Sequence, residues 1–496
     1  MSNLLRDMDF GNEAGDDADP VELSTYFVEQ SIFRRFLDPS QKILVATAKK
    51  GVGKSALLQW AAHNIQQKES AALVIKCRGA DLVRSKFNLT DQLSGPNDHI
   101  QDWMVRICSL VNRHLASRIN IAIGDDRISL VETAELEGYK SRNLIGCLLD
   151  RFGKILGDNQ PQKQRIVNEI EVLKRAGMSK VWICIDDLDA TFQNTDSESL
   201  YLGTFFSACR YLTQDISGIY FRATMRTDVW ALIRRYDESL DKMEQYVFDI
   251  LWFQEDFRRL LYLRIKLQIE KSGGKVPLVP AHVADQDAEE RLLERIFEPK
   301  MEWAEKLVEA YKVIYTLSYE RPRWAIQLSK LAQASAIRRQ RSVIIKQDID
   351  DVWGEYGTKR IADLVAEHKH QCSEIEELLN GFRGADRLMA RDKLFSWIKN
   401  RNLNHLNPRI EGEFVRSPAK VARFLYRLGF IMARSDTIEG YEHYRFDQMP
   451  DFLTSRTDDD FGLTWEIHPC YREALDIKKI NRSHREKFTQ LRRRRP

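Results

Sequence analysis

The chain has 496 residues, with 76 lysines and arginines against 73 aspartates and glutamates, and a net charge of +3. That average excludes a uniformly basic nucleic-acid coat. Hydrophobic residues make up 43%, which supports sizeable cores and excludes a disordered chain, and no apolar run approaches the roughly 20 residues needed to cross a bilayer.

In chain order, residues 1–22 hold seven acids and one base and read as a flexible acidic lead. Leu23, Phe27, Ile32, Phe33 and Phe36 recur at helical spacing and predict a helix over 23–38, ended by Asp38-Pro39-Ser40. Ile43–Ala46 is a short apolar run of buried-strand type. A glycine-rich turn and a helix from Lys54 to about Gln67 follow, then a second strand at Ala72–Ile75. Residues 97–176 read as a mostly helical insertion without a catalytic motif. Val181–Ile185, Ile219–Thr224 and Tyr246–Ile250 are three further strands, with a helix over Ser197–Thr213 between the first two. Strands alternating with helices predict a mainly parallel, three-layer α/β domain over 23–252. Residues 253–370 read as a helical lid. Over 371–476, a helix at Ser417–Leu428 precedes candidate strands at Phe430–Arg434 and Tyr441–Phe446, which suggests a winged-helix-like module. Residues 477–496 form a basic tail of nine bases and one acid.

The strongest signal is Ala48, Lys49, Lys50, Gly51, Val52, Gly53, Lys54 and Ser55, set between a strand and the helix that continues through Ala56. Small residues let backbone N–H groups wrap a polyphosphate, and the helix N-terminus adds its positive end. Lys54 can reach the β- and γ-phosphates, and the Ser55 hydroxyl can ligate Mg2+. Ala48 stands where the usual pattern has its first glycine. The second half of the site is Asp186-Asp187-Leu188-Asp189 at the end of the third strand. Asp186 is expected to hold Mg2+ and Asp187 to orient or deprotonate the attacking water. Aspartate has a shorter reach than glutamate, which favours slow or conditional hydrolysis. Asp189 reads equally well as a polar ligand or a helix cap. At the end of the fourth strand, Thr224 and Arg226 are placed to report the γ-phosphate, with an Arg226–Asp228 surface pair as the alternative. Arg323, and after it Arg321, stand at a helix start in the lid, where an arginine can tie lid angle to nucleotide state.

These residues resemble the AAA+-related P-loop ATPases of the origin-recognition and STAND type (signal-transduction ATPases with numerous domains), above all the bacterial branch often associated with phage defence. The likeness rests on GVGKS at 51–55, ICIDDLD at 183–189, MRTD at 225–228, RPRW at 321–324 and the winged-helix-like end. It implies ATP and Mg2+ as cofactors, a helical lid, and nucleotide-controlled assembly in a switch or a motor, while the candidate strand at 72–77, lying between the two motifs in sequence, suggests the additional-strand branch of the P-loop fold. If the protein assembles, a trans-acting arginine is also implied, with Arg234, Arg235 and Arg258 as candidates.

The partners read from sequence are a second copy or an effector protein, and nucleic acid held by the winged-helix region and the tail. Phosphate contacts from such a tail would give affinity without sequence reading. Tyr441, Tyr444 and Phe446 read as core aromatics before base-stacking ones. His368 and Cys372 share a helical face but are too few to hold a metal. Seven scattered cysteines without a CxxC pair, and a start unlike a signal peptide, point to a reducing cytoplasm and no membrane role. A DNA-stimulated motor and a non-hydrolysing ATP-bound scaffold are the rival readings.

Overall fold

The computed structural model describes residues 4–13, 15, 17–84, 95–121, 180–190, 192, 195–215, 218–234, 238–276, 285–436, 440–454 and 462–478. The chain divides into two compact units, Asn12–Trp252, and Met1–Gly11 together with Phe253–Pro496.

In the first unit, β1 (Ile43–Thr47), β2 (Leu73–Arg78), β3 (Val181–Asp186), β4 (Ile219–Met225) and β5 (Val247–Asp249) form one sheet in the order β2-β3-β4-β1-β5. Every pairing is parallel. The central strands read as unbroken apolar runs because both faces are covered. On one face, Ile43, Val45, Ile183, Ile185, Phe221 and Ala223 pack with side chains of helices Pro96–Ile121 and Asp196–Asp215. On the other, Ile65 of helix Lys54–Lys68 packs with Trp182, Val74 and Tyr220. This is the three-layer P-loop nucleoside-triphosphatase fold with an additional strand. The strand separating β1 from β3 is β4, whereas β2, which precedes β3 in sequence, lies at the sheet edge. Its exposed Lys76 and Arg78 suit an edge, where unpaired backbone must be kept from other chains.

The expected helix over 23–38 is two pieces, Pro20–Tyr26 and a 3-10 turn at Ser31–Leu37. Phe27 turns extended between them, and its ring stacks on Trp60 with centroids 4.8 Å apart. Arg222 of β4, fully buried, explains where the second piece ends. Its Nε donates to Phe36 O at 2.7 Å and its Nη2 to Asp38 O at 2.9 Å, satisfying carbonyls left over at the end of the turn. The guanidinium also lies 4.7 Å from the Trp182 ring centroid. Burial lowers its pKa to about 10, so it stays charged at neutral pH.

The acidic lead is not a flexible tail. Leu5, Met8 and Phe10 are buried in the second unit, where Gln333 Nε2 donates to Leu5 O at 2.7 Å and to Met8 O at 2.6 Å. Further on, in the first unit, Gln59 Nε2 donates to Ala18 O at 2.5 Å, and the Asp19 carboxylate caps helix Pro20–Tyr26. The apolar residues scattered among the acids outweigh the charge count, because each buried one adds about 1.5–3 kcal/mol. Of the insertion expected over 97–176, the helix Pro96–Ile121 is described and residues 122–179 lie outside the described residues.

The second unit opens with helices Gln254–Lys271, Gln286–Leu293, Ala310–Leu317, Pro322–Arg338 and Lys346–His368, interrupted by a hairpin of β6 (Lys300–Trp303) and β7 (Lys306–Glu309). After residue 370 come β8 (Leu388–Ala390), helix Arg391–Trp397 continued by a wider turn at Ile398–Leu403, and a hairpin of β9 (Arg409–Ile410) and β10 (Glu413–Phe414). Helix Pro418–Leu428 and β11 (Ile431–Asp436), β12 (Tyr441–Tyr444) and β13 (Thr464–Ile467) complete it. The sheet order is β12-β11-β13-β8, all antiparallel. The boundary expected near 370 does not separate two bodies. Trp353 Nε1 donates to Pro469 O at 3.0 Å, and a Cβ at Gly357 would fall 2.8 Å from Cys470 O, so helix Lys346–His368 packs directly on the C-terminal turn. The tail begins inside the fold as well: Lys478 N donates to Ala385 O at 2.9 Å. Residues 479–496 lie outside the described residues.

Candidate nucleotide site

The loop after β1 is built to turn around a phosphate. Gly51 and Gly53 have φ of 80° and 112°, a left-handed conformation that side-chain-bearing residues avoid. Successive N–H groups in such a turn form a concavity for anions. Ala48 takes the first-glycine position without a left-handed φ, and its N–H donates to Met225 O at 3.2 Å, continuing the β1–β4 pairing. On the other side of the loop, Trp252 Nε1 donates to Val52 O at 2.8 Å. This brace was not visible in sequence, because Trp252 is 200 residues from Val52 and reaches it only through the β1–β5 pairing.

Lys54 is buried, and its ammonium donates to Ala48 O at 3.4 Å and lies 3.8 Å from Asp187 Oδ1. The ends of β3 and β4 are locked together. Thr224 Oγ1 donates to Asp186 Oδ1 at 2.7 Å, the Asp187 N–H donates to Thr224 Oγ1 at 3.2 Å, and Leu188 N donates to Thr224 O at 3.0 Å. Asp187 sits at φ 44°, left-handed, with its side chain about half exposed. It therefore turns away from the strand toward solvent while Asp186 stays inside. A Cβ at Gly79 would fall 2.6 Å from Asp187 O, so only glycine lets β2 leave the sheet past this turn.

Burial raises the pKa of Asp186, and the neighbouring Asp187 charge raises it further; hydrogen bonds from Ser55 and Thr224 and the Lys54 charge oppose this. A buried carboxylate in contact with a serine hydroxyl and destabilised by a second carboxylate is an all-oxygen donor set suited to a hard divalent cation. Ser55 and Asp186 thus fit Mg2+. The Gly51–Lys54 turn fits a polyphosphate.

The structure brings together Lys54, Ser55, Asp186, Asp187 and Thr224. Arg226 is held differently from a free γ-phosphate reporter. Its guanidinium pairs with Asp228, Nη2 to Oδ2 at 2.5 Å, and its Nε lies 3.8 Å from Asp189 Oδ2. Asp189 is not the cap of a long helix. It is buried, its Oδ1 accepts from Arg226 N at 3.2 Å, and burial pushes its carboxyl up to about 6.

Arg321 is a correction. It is buried in the second unit with Nη1 2.9 Å from Glu367 Oε2 and its guanidinium 4.2 Å from the Trp324 ring centroid. An arginine held by a buried carboxylate and a ring is structural, because releasing it would leave Glu367 charged in the interior. Arg323 occupies the first turn of helix Pro322–Arg338 in the same unit, half-buried. Among the proposed trans-acting arginines, Arg258 is buried against Glu289 at 2.8 Å and is corrected for the same reason. Arg234 pairs with Glu244 on the surface, and Arg235 lies outside the described residues. Of the wing aromatics, Tyr444 packs on Phe452 and Phe446 on Tyr426, while Tyr441 lies under the Arg434 guanidinium.

Strand order, glycine turn and paired carboxylates define a P-loop nucleoside-triphosphatase domain. Comparison with known proteins adds one partial family match: residues 258–365, the helical part of the second unit, match the description "FunZ-associated C-terminal helical domain". The chain is 22% identical over 527 aligned positions to the "Putative transposon gamma-delta 80.3 kDa protein" of Escherichia coli (strain K12), covering 95% of this chain and 67% of that one. Among solved structures it is similar to the ORC2 protein of Aeropyrum pernix in its ADPNP–ADP complexes, with 11% identity, a TM-score of 0.43, and 90% of each chain covered. It is also similar to a Walker-type ATPase of Pyrococcus abyssi, with 11% identity, a TM-score of 0.35, and 84% and 94% covered. The fold assignment stands on the strand order and the phosphate loop, not on these distant likenesses. Among the described residues no helix is long and apolar enough to cross a membrane.

Proposed function

We propose that the protein binds and hydrolyses ATP with Mg2+ and uses nucleotide state as a switch. The observation that carries this is the convergence of Lys54, Ser55, Asp186, Asp187 and Thr224 at the ends of β1, β3 and β4. The glycine turn holds the phosphates, Lys54 neutralises them, and Ser55 with Asp186 holds the cation. When bound, Mg2+ supplies charge neutralisation at the β- and γ-phosphate oxygens. Asp187, exposed beside Lys54, orients a water and takes its proton. Thr224 holds the Asp186 carboxylate and the Asp187 backbone, so a change at the γ-phosphate is felt at the end of β4.

The switch acts on assembly or on a partner. Nucleic acid is the partner that the second unit favours. Helices Arg391–Trp397 and Pro418–Leu428 beside an antiparallel sheet support the winged-helix-like reading, and residues 391–427 carry nine lysines and arginines against three acids. A role of the STAND type in antiviral defence rests on the sequence resemblance alone. Its test is phage plating on cells carrying wild type or Lys54→Ala; equal plating on both and on cells without the gene would end that reading. The biochemical test is ATP binding and phosphate release. Unchanged hydrolysis in Lys54→Ala and Asp187→Ala would overturn the site.

A further inference from the structure

We propose that the β9–β10 hairpin is a base-stacking element for an unpaired nucleic-acid strand, with Phe414 as the stacking ring and Arg409 beside it. This deepens the nucleic-acid part of the proposed function and rests on it.

The hairpin is braced on one side and bare on the other. Glu411 and Gly412, at φ 51° and 85°, form a two-residue turn of the left-handed kind that matches strand twist. On the inner side Ile410 is buried and bridges Cys372, Val415 is buried, and Glu411 N donates to Gln371 O at 2.8 Å. The Arg409 N–H is taken by Glu374 Oε2 at 3.2 Å. On the outer side Phe414 pairs directly opposite Arg409 and is 71% exposed. The Arg409 guanidinium lies 5.4 Å from the ring centroid and is itself held by Gly412 O at 2.8 Å.

A single exposed apolar side chain is ordinary on a protein surface. This one differs in three ways. It stands on a rigid hairpin, so little freedom is lost on binding. A guanidinium is already set against it, a pairing that suits a base between phosphates. And it lies within a basic stretch of the chain, with Lys399, Arg401, Arg416 and Lys420 exposed nearby in sequence. Every base has a π-face, so the ring gives affinity without reading sequence. An unpaired strand is the fitting partner because a paired base offers no open face. Glu413 and Glu411 of the hairpin pair with Lys420 at 3.5 Å and Arg427 at 2.7 Å on the following helix. Phosphates compete with these carboxylates, which makes binding salt-dependent.

The experiment uses the full chain with a labelled oligothymidylate and a duplex of the same length, at two salt concentrations. Wild type is expected to bind the single strand more tightly than the duplex. Phe414→Ala should weaken strand binding roughly tenfold without changing the salt slope, Phe414→Trp should retain it, and Arg416→Ala should lower the slope. Phe414 is largely solvent-exposed, so circular dichroism should be the same in all variants. Strand binding by Phe414→Ala equal to that of wild type, preference for the duplex, or no binding by wild type at low salt would each overturn the proposal. ATP affinity measured on the same preparations separates such a failure from a failure of the nucleotide site.

Discussion

Thr224 and Asp186 are joined across the sheet: the threonine hydroxyl donates to Asp186 Oδ1 at 2.7 Å and accepts from the Asp187 N–H at 3.2 Å. One buried hydroxyl therefore holds the Asp186 carboxylate and the backbone of Asp187. Thr224→Ser is expected to behave as wild type. Thr224→Val should lower turnover by roughly 10–100-fold, with ATP affinity changed much less, because misplaced reacting groups lose rate before they lose binding. It should also lose about 1 kcal/mol of stability with the hydrogen bond to Asp186, whose Oδ1 still accepts from the Asp187 N–H at 3.0 Å. Single-turnover hydrolysis and ATP titration on both variants check this, and equal loss in Ser and Val would refute it.

Lys54 and Asp187 have separable tasks. Lys54→Ala should weaken ATP binding by about 3 kcal/mol or more, roughly 100-fold, since a buried cation facing phosphate is removed. Asp187→Ala should keep the affinity and lower turnover by roughly 100–10,000-fold. Calorimetric titration and phosphate release distinguish the two patterns.

Trp252 braces the phosphate loop from β5. Trp252→Phe keeps most of the packing and removes only the donor to Val52 O. The expected effect is about 1 kcal/mol, or roughly fivefold in ATP affinity, with the fold intact. An unaltered affinity would show that the loop holds its shape without the indole.

Asp189 makes stability depend on pH. Its carboxyl is raised from 3.8 to about 6 by burial, so the folded state binds the extra proton between these values. Stability from this group is complete below pH 3.8 and is lost as pH rises through about 6. In Asp189→Asn that loss is absent. The unfolding free energy of the variant, relative to wild type, should therefore gain up to about 3 kcal/mol between pH 4 and 6. Urea titrations across this range test the sign; a gap that shrinks with rising pH would contradict it.

Arg321 is expected to behave as a core residue. Arg321→Ala should destabilise by about 3–5 kcal/mol, because Glu367 is left charged and buried, whereas Arg321→Met with Glu367→Leu should recover most of the loss. If Arg321 instead read the γ-phosphate, the double variant would melt normally and still fail to respond to ATP.

Sequence alone determined the phosphate loop, the strand carrying Asp186 and Asp187, and the alternation that makes a parallel sheet. These depend on local pattern: glycines where φ turns left-handed, a Lys-Ser pair opening a helix, apolar runs where both faces are covered. Its errors lay where long-range contacts decide. The acidic lead looked solvated because charge is counted locally, yet Leu5, Met8 and Phe10 find a core supplied by residues hundreds of positions later. Arg321 looked available because arginine is usually exposed, yet Glu367 and Trp324 bury it. Only the tertiary structure placed β4 between β1 and β3, which lets Thr224 hold the Asp186 carboxylate and the Asp187 backbone, and set Trp252 behind Val52. Local sequence fixes which groups can do phosphate chemistry. Which of them meet is set by strand order and burial, whose free energy comes from contacts that no local window contains.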